Sequence, residues 1–427
     1  MGTARFIALG AWPVGLSEGR RPPPRGPRGG PAREGVAGQR RREADPAGLL
    51  VRELAVDALA AVMFRAVPLD EALAHILAEA RAAALPARDR ALVRLLVATV
   101  LRRSGELEHV LAAFLSKPLP RDQRRLTLLL RTAAAQLLVL ATKPHAAISL
   151  AVEQCRRDRQ AHRFDKLANA VLRRVATEGP ALLAAAGGAT RNIPEWLLRR
   201  WQAHFGVETA AAIAAASLTE PPLDLSARRD AAGWADRLAG ALLATSSIRL
   251  PGGGRIEDLA GYAEGAWWVQ DAAAALPARL LGSVAGASVL DLCAAPGGKT
   301  AELAARGARV TALDVSEPRL ARMRENLARL GLDAELIAAD ATIWAPGRTF
   351  DAVLLDAPCT ATGTIRRHPD ILHLKRADDI ARLATLQRRL LDNAVRLVAP
   401  GGVVVYATCS LEPEEGEQQV AALLSRD

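Results

Sequence analysis

Asp291-Leu-Cys-Ala-Ala-Pro-Gly-Gly-Lys-Thr300 is the stretch that decides the fold, because a glycine-rich turn there joins a strand pattern to a helical one. Glycines let backbone N–H groups approach a ligand closely, and the N-terminus of the following helix favours negative charge. The turn is not a P-loop, since Cys293 stands where that pattern needs a glycine, five residues before Gly298. The stretch predicts an α/β domain that binds a nucleotide-like ligand.

From residue 286 onward the hydrophobic pattern alternates between strand and helix. Near-continuous apolar runs such as Ala352–Leu355 and Val403–Val405 are typical of parallel strands covered on both faces. Such doubly wound sheets bind ligands at the carboxyl ends of their strands, near the switch point. We therefore predict strands at 288–293, 309–314, 335–339, 350–355 and 402–408, and helices at 298–306, 317–330 and 376–398.

Aspartates follow the second and third of these strands. Asp314 lies 23 positions after Asp291, where a carboxylate can accept hydrogen bonds from both hydroxyls of a ribose. Asp340 would lie beside an adenine. A single strand-end aspartate is often only a helix cap, but the serial arrangement favours cofactor binding.

The fourth and fifth strands each lead to a cysteine, Cys359 in Asp356-Ala-Pro-Cys359 and Cys409 in Thr408-Cys409-Ser410. Neighbouring strands would place both thiols at one rim of the sheet. A hydride transferase has no use for two thiols and an aspartate there, whereas a cytosine C5-methyltransferase has. Addition of a thiolate to C6 makes an enamine whose C5 attacks an activated methyl group, while Asp356 binds the N3 and N4 edge.

The attacking thiol needs help to ionise. Lowering the pKa of a thiol from about 8.5 to about 7 requires about 2 kcal/mol, and a helix terminus supplies about 0.3–1 kcal/mol. A nearby cation is therefore expected, and the candidates are Lys299, Arg366 and Arg367.

Composition narrows the class of protein. The chain has 427 residues, a formal net charge of +10 and four cysteines, none of them in a metal-ligand spacing. A positive excess favours a polyanionic partner. Because no apolar run reaches about 18 residues and the cysteines look reduced, we expect a cytoplasmic protein without a membrane span or a metal. We expect it to be a monomer.

The first 192 residues divide into three parts. Residues 1–46 hold nine arginines and four acidic residues, and their glycine and proline content predicts a disordered basic tail, either an RNA-binding segment or a dispensable start. Apolar residues recur at helical spacing over residues 47–180, which predicts an all-α domain. Its Arg-Arg pairs, such as Arg124-Arg125, are either RNA contacts or solvated helix faces. Residues 181–192 look like a linker.

Residues 193–285 predict a small α+β module that feeds the next domain. A helix begins at Ile193-Pro194, a strand is expected at 223–226, and a glycine-rich turn follows at 252–254. Trp267 and Trp268 can stack on a base, but two adjacent tryptophans are more often one core residue and one interface residue.

Together these motifs resemble the Sun family of RNA (cytosine-C5)-methyltransferases. The resemblance runs from about residue 47 to the end and rests on four ordered motifs, Asp291–Thr300, Asp314, Asp356–Cys359 and Thr408–Ser410. The helical region, with Asn169-Ala-Val-Leu-Arg-Arg174, resembles NusB. The resemblance implies a NusB-like RNA-binding domain, an RNA-binding module at 193–285 and a Rossmann-like domain at 286–427 that uses S-adenosylmethionine. It also implies small-subunit ribosomal RNA, of the 16S type, as the substrate.

By the same resemblance, Cys409 is the nucleophile, Cys359 assists release of the product, and Asp356 and Lys299 complete the catalytic set. In DNA cytosine methyltransferases the Pro-Cys thiol attacks instead, and the second cysteine is what favours the RNA class. The cofactor-binding residues implied are Ala294, Ala295, Pro296, Gly297, Gly298, Lys299, Asp314, Arg319, Asp340 and Asp356.

The sequence departs from the family pattern at three places. Thr360 replaces the usual serine after the first cysteine, and Leu372-His373 stand where Lys-Trp is expected. The family's sheet continues with two further strands and an Asp-Gly-Phe-Phe turn, whereas the sequence ends 18 residues after Cys409. One rival hypothesis is a non-catalytic RNA-binding protein with an inert methyltransferase domain. Another is an NAD-dependent dehydrogenase, which leaves the two thiols unexplained.

Overall fold

The computed structural model describes residues 8–9, 48–120, 122–251 and 255–426. It divides into two compact units, one ending at Ile193 and the other comprising the chain from Pro194 onward with Ala8–Leu9. The basic tail predicted for residues 1–46, apart from Ala8–Leu9, and the turn predicted at 252–254 lie outside the described residues.

The first unit is helical throughout its described part, which confirms the all-α prediction. The helix at Ala87–Arg102 shows the reason, since Val93, Leu96, Val97 and Val100 recur at helical spacing and are fully buried. The helices are α1 (Leu49–Arg65), α2 (Leu69–Ala78), α3 (Ala87–Arg102), α4 (Ser104–Ala113), α5 (Arg124–Leu138), α6 (Pro144–Arg157) and α7 (Asp165–Ala184).

The segment predicted as a linker packs on α4. Helix α7 continues through Pro180, and a 3-10 turn follows at Ala189–Asn192. The Asn192 side chain accepts a hydrogen bond of 3.0 Å from the backbone N–H of Glu106. A Cβ added to Gly105 would lie 2.0 Å from the Arg191 carbonyl oxygen, so glycine allows the close approach.

Arginines of the predicted Arg-Arg pairs make contacts within the unit. Arg125 bridges Asp57 at 2.9 Å and Asp158 at 2.5 Å. Arg174 pairs with Glu178 at 2.9 Å. These ion pairs explain the arginines concerned without any RNA, so they support the interpretation of these helix faces as solvated surfaces.

The second unit begins with strand β1 (Ala8–Leu9) and then resumes at Pro194 with helices and a four-stranded antiparallel sheet of order β3-β4-β2-β5. Leu225, Ile248 and Trp267 form the centre of its core. Its elements are α8 (Glu195–Phe205), α9 (Val207–Ser217), β2 (Leu223–Ala227), α10 (Ala231–Arg237), β3 (Ala241–Leu242), β4 (Ile248–Leu250) and β5 (Trp267–Val269).

Both tryptophans of β5 are core residues, whereas the sequence favoured one core residue and one interface residue. Successive side chains of a strand face opposite sides. Trp267 is fully buried in the core of the small sheet, and Trp268, 6% exposed, packs into one of the two cores of the larger sheet. Neither indole face is therefore available to stack on a base.

The larger sheet has the order β1-β10-β9-β6-β7-β8 with every pair parallel, which confirms the doubly wound prediction. Hydrophobic cores cover both faces. The order reverses between β6 and β9, which is the switch point. The elements are α11 (Ala272–Leu280), β6 (Ser288–Leu292), α12 (Gly298–Ala305), β7 (Arg309–Asp314), α13 (Glu317–Leu330), β8 (Glu335–Ala338), β9 (Phe350–Asp356), α14 (Ile371–Leu374), α15 (Ala377–Leu397), β10 (Val398–Ala407) and α16 (Glu417–Leu424).

The small sheet is attached to α13 of the larger one. Arg228 donates a hydrogen bond of 2.6 Å to the Leu330 carbonyl. Arg329 donates one of 2.7 Å to the Tyr262 carbonyl, and its guanidinium lies 4.2 Å from the centre of the Tyr262 ring. The described residues of 194–285 and of 286–426 therefore belong to a single compact unit. None of the helices described is long and apolar enough to cross a bilayer.

Candidate functional site

The turn between β6 and α12 needs glycine at its centre. Gly297 has a φ of +100°, and an added Cβ would lie 2.7 Å from Cγ of Met323. Gly298, which begins α12, has no neighbour closer than 3.7 Å to such an atom, the nearest being the Gln270 side chain. The turn thus keeps open space beside the N-terminus of α12, where a ligand can approach the backbone closely.

A buried carboxyl group lies at the end of β6. Asp291 is fully buried, and its Oδ2 accepts a hydrogen bond of 2.5 Å from the Thr300 hydroxyl. Its Oδ1 has no partner within the described part of the chain. Burial raises the pKa of Asp291 to about 7, against the opposing effects of Thr300 and Lys299. An unpartnered buried oxygen of this kind is available to a donor group of a ligand or to a water molecule.

Asp314 ties the end of β7 to the same turn. Its two oxygens accept hydrogen bonds from the backbone N–H groups of Ala295, at 3.1 Å, and Ser316, at 2.9 Å. Arg319 lies 3.4 Å from Asp314 and also donates to the Ala295 carbonyl. Two predicted cofactor residues are thereby placed against the glycine-rich turn.

Asp340 takes no part in the hydrogen bonds that join Asp314 and Arg319 to the glycine-rich turn. It is exposed after β8, and its side chain accepts a hydrogen bond of 2.8 Å from the backbone N–H of Thr342. The structure thus places it at the carboxyl edge of the sheet, and its contact with an adenine stays a prediction.

Lys299 and Asp356 form an ion pair at the switch point. The Lys299 side chain is 7% exposed, and its Nζ lies 2.7 Å from Oδ2 of Asp356, which is 26% exposed. Helix α12 supplies the lysine and β9 supplies the aspartate, so the pair joins the glycine-rich turn to the strand that leads to Cys359.

The two thiols meet as the sequence predicted, because β9 and β10 are neighbours. The sulfur atoms of Cys359 and Cys409 are 3.3 Å apart, and the backbone N–H of Cys409 donates to the Cys359 sulfur at 3.3 Å. The pKa of Cys409 is raised well above its usual value, first by its hydrogen bond with Cys359, then by burial and by Asp356. Lys299 acts in the opposite direction.

Of the three cations considered as activators of the thiol, Lys299 is the one that lowers the pKa of Cys409. Arg367 instead donates to Asp271 through Nε at 2.9 Å, and Arg366 lies 3.8 Å from the same carboxylate. These arginines therefore attach the loop after Cys359 to the start of α11.

Two buried glutamates after Cys409 were not found by sequence reasoning. Glu412 accepts hydrogen bonds from Arg200 at 2.6 Å and from the Trp201 indole at 3.1 Å. Glu415 is fully buried and accepts hydrogen bonds from Thr360 and Ser410, the residues that follow the two cysteines. The only signal was their position just after Cys409, and acidic residues in a polar loop give no sign of burial.

The residues present fit a nucleotide-like cofactor. The open turn supplies backbone donors. The unpartnered Oδ1 of Asp291, Asp314 at the end of β7 and Asp340 after β8 supply the carboxylates that a nucleoside requires. In the described ranges no three histidine, cysteine or acidic side chains are grouped so as to hold a metal ion.

This fold and site define a Rossmann-like methyltransferase attached to a helical NusB-like region. Comparison with known proteins gives the particular family. The chain belongs to the 16S rRNA methyltransferase RsmB/F family, whose model matches residues 278–427, and the NusB family model matches residues 50–177. The cofactor is S-adenosylmethionine, as the family resemblance implied.

Two relatives cover most of the chain, and both are called ribosomal RNA small subunit methyltransferase B. The protein from Vibrio cholerae is 39% identical over 389 residues, which are 86% of this chain and 88% of the relative. The protein from Xanthomonas campestris is 42% identical over 81% of this chain and 82% of its own length. The crystal structure of PH0851 has the same fold, with a TM-score of 0.70, 22% identity and coverage of 90% and 91%.

Proposed function

We propose that this protein methylates C5 of a cytosine in small-subunit ribosomal RNA through a covalent bond between the Cys409 sulfur and C6. The observation that carries the proposal is the pair of sulfur atoms 3.3 Å apart, at the rim that also holds the Lys299–Asp356 ion pair. The names of the relatives support the choice of RNA. A dehydrogenase would leave both thiols without a role.

S-adenosylmethionine, when bound, supplies an activated methyl group. The backbone of residues 294–298 would hold it at the N-terminus of α12, and Asp314, buttressed by Arg319, would accept hydrogen bonds from its ribose. Asp340 would contact its adenine. Lys299 contributes to the same site through its ion pair with Asp356.

Attack begins with loss of the Cys409 thiol proton. The raised pKa of this thiol means that it keeps its proton in the free protein, and the positive charge of Lys299 favours its removal. The sulfur electron pair then bonds to C6, and the electrons of the C5–C6 double bond make C5 nucleophilic. Asp356 binds the N3 and N4 edge of the base, accepts the proton that Cys409 gives up and passes it to N3.

Product release needs a second group. After C5 has bonded to the methyl carbon, C5 carries both a methyl group and a proton. The Cys359 sulfur, as the thiolate, takes that proton, and the C5–H electron pair re-forms the C5–C6 double bond. The C6–S electron pair returns to Cys409, which regains its proton from N3 by way of Asp356. Cys359, with its sulfur in contact with that of Cys409, is placed to assist this elimination.

The target cytosine must be unpaired or flipped out. Stacking in a duplex hides C5 and C6 from a thiol. We assign RNA binding to the NusB-like unit and to residues 193–285, and the net charge of +10 favours that polyanion.

The test is transfer of labelled methyl groups to undermodified small-subunit ribosomal RNA, with a denaturing gel to detect covalent protein–RNA adducts. Cys409→Ala should lose transfer and form no adduct, whereas Cys359→Ala should accumulate the adduct. Cys155→Ala, a matched change at a buried cysteine of α6, should behave as wild type.

Three results would count against parts of the proposal. An adduct in Cys409→Ala would reverse the roles of the two cysteines. Transfer to a base other than cytosine would remove the need for the thiol pair. A folded wild-type protein that binds S-adenosylmethionine and RNA but transfers nothing would favour the non-catalytic RNA-binding alternative.

A further inference from the structure

We propose that Glu415 is a positioning residue for two loops, which we call the cysteine loops. One follows β9 and carries Cys359, the other follows β10 and carries Cys409, and Glu415 fixes the position of one relative to the other. It contacts neither sulfur atom through a hydrogen bond, but it binds the residue that directly follows each cysteine. The proposal rests on the proposed two-thiol function, since it names what sets the separation of those thiols.

The first loop is held at Thr360, directly after Cys359. The backbone N–H of Thr360 donates to Oε1 of Glu415 at 2.9 Å, and its hydroxyl donates to Oε2. Thr360 and Glu415 are both fully buried, so no water competes for these bonds. The backbone and the side chain of the same residue are thus bound to one carboxylate.

The second loop is held at Ser410, directly after Cys409. The Ser410 hydroxyl donates to Oε2 of Glu415 at 2.6 Å and lies 3.1 Å from the Thr360 hydroxyl. One carboxylate therefore joins the two loops at equivalent positions, one residue past each thiol. This is the arrangement that fixes one sulfur relative to the other.

Glu415 is itself held by two elements of the sheet domain. Gln387 of α15 donates through Nε2 to Oε1 of Glu415 at 3.1 Å and to the Pro358 carbonyl at 2.9 Å. The Tyr406 hydroxyl of β10 donates to the Glu415 carbonyl at 2.7 Å. Glu415 is thus anchored to α15 through its carboxylate and to β10 through its backbone carbonyl.

Positioning of this kind matters because the two thiols act on the same base. A displacement of about 1 Å in a reacting group can reduce a rate about 100-fold. Loss of the Glu415 carboxylate removes the shared contact, so Cys359 and Cys409 would then move independently. We expect slower turnover with little change in the binding of S-adenosylmethionine.

Two substitutions separate geometry from charge. In Glu415→Gln the amide oxygen can replace Oε1, and the amide N–H groups can donate to the Thr360 and Ser410 hydroxyls, which are able to accept. Glu415→Ala removes every one of these side-chain contacts. Glutamine should therefore preserve the arrangement of the thiols, and alanine should not.

The direct probe is phenylarsine oxide, which bridges two neighbouring thiols. Each sulfur gives up its proton and bonds to arsenic, and the oxygen leaves as water, so no oxidant is needed. The measurement requires neither RNA nor methyl donor, and failure of the methylation proposal would therefore not affect it. Wild type and Glu415→Gln should bind one arsenical tightly, and Glu415→Ala should bind it at least about 10-fold more weakly.

Asn393→Ala provides the control for general loosening of the domain. Asn393 is buried on α15 and donates to the Ala341 and Trp344 carbonyls at 2.9 and 3.0 Å, away from the cysteine loops. It should lose thermal stability but keep the arsenical affinity of wild type.

Methyl-transfer kinetics give the second readout. We expect a kcat about 10- to 100-fold lower in Glu415→Ala, a KM for S-adenosylmethionine within about threefold of wild type, and near-normal kcat in Glu415→Gln. Wild-type arsenical affinity in Glu415→Ala would overturn the proposal. It would equally be overturned if glutamine failed as badly as alanine, or if Asn393→Ala lost arsenical affinity to the same extent.

Discussion

Replacement of Lys299 by methionine should lower the stability of the second unit and slow methyl transfer at neutral pH. Methionine preserves most of the apolar stem of the lysine, which is buried at the start of α12, but it removes the ammonium group. Asp356 then loses its 2.7 Å partner while remaining only 26% exposed. The Cys409 thiol also loses the positive charge that lowers its pKa.

The size of the stability loss follows from the exposure of the pair. Breaking a fully buried ion pair costs about 3–5 kcal/mol, and a hydrogen bond to a charged group contributes about 1.5–3 kcal/mol. Because Asp356 is partly solvated, we expect about 2 kcal/mol. For a unit of this size, about 2–4 °C are lost per kcal/mol, so the melting temperature should fall by about 4–8 °C.

Thermal unfolding of four proteins measures this effect. They are wild type, Lys299→Met, Asp356→Asn and the double variant, in which the unpaired charge is absent and part of the stability should return. Lys117→Met is the control, because Lys117 is exposed in the helical unit. In a pH–rate profile, Lys299→Met should shift the rise in activity to higher pH.

The reasoning would be refuted by a melting temperature for Lys299→Met within about 1 °C of wild type. It would also fail if Asp356→Asn recovered no stability in the Lys299→Met background, or if the pH–rate profile did not move. Either of the first two results would mean that Asp356 finds another partner or enough water to replace the lysine, and the third would mean that Lys299 does not set the ionisation of Cys409.

Two further predictions concern the glycines of the turn between β6 and α12, and Asp291 near the end of β6. Gly297→Ala should cost about 1–3 kcal/mol in the free energy of unfolding, because of its φ of +100° and the clash with Met323. Gly298→Ala should instead keep the melting temperature and weaken S-adenosylmethionine binding in calorimetry, and equal melting temperatures for both variants would contradict this. Burial raises the pKa of Asp291 to about 7, so the folded protein holds a proton that the unfolded chain loses near pH 4. As the pH rises from 5 to 7, the free energy of unfolding of wild type should therefore fall by about 2 kcal/mol more than that of Asp291→Asn. Parallel stability profiles for the two proteins would show that the pKa of Asp291 is not raised.

The sequence was sufficient for five of the six strands of the larger sheet, β6 to β10, because they are largely apolar runs separated by amphipathic helices. The predicted strand at 309–314 and helix at 317–330 agree with β7 and α13 residue for residue. The strand predicted at 402–408 begins earlier, at Val398. Local patterns of this kind depend on burial that recurs at a fixed period, which a sequence displays directly.

The small sheet was less accessible to prediction. Strand β3 has two residues and β4 has three, too few to show alternation, and they are held by pairing with β2 rather than by their own propensity. Similarly, β1 pairs with β10 across a separation of almost the whole chain, which no local pattern reveals.

Within the site, proximity was predictable and partner choice was not. Parallel strands that end at one edge brought Cys359 and Cys409 together, as the motifs implied. The pairing of Arg367 with Asp271, 96 positions away, depends on how a loop folds back over α11. The role of Glu415 could not be predicted either, because its hydrogen-bond donors lie in another loop and in a helix that are distant in sequence.

The two indoles of β5 have a consequence for how this chain can be divided. Trp267 fills the interior of the small sheet, and its neighbour Trp268 fills the interior beneath the larger one. A fragment that began at residue 286 would lack Trp268 and open a cavity in the layer that supports β6 and the turn after it. The smallest autonomously folding portion with an intact cofactor site should therefore start near Pro194, and the two sheets should melt in one cooperative transition.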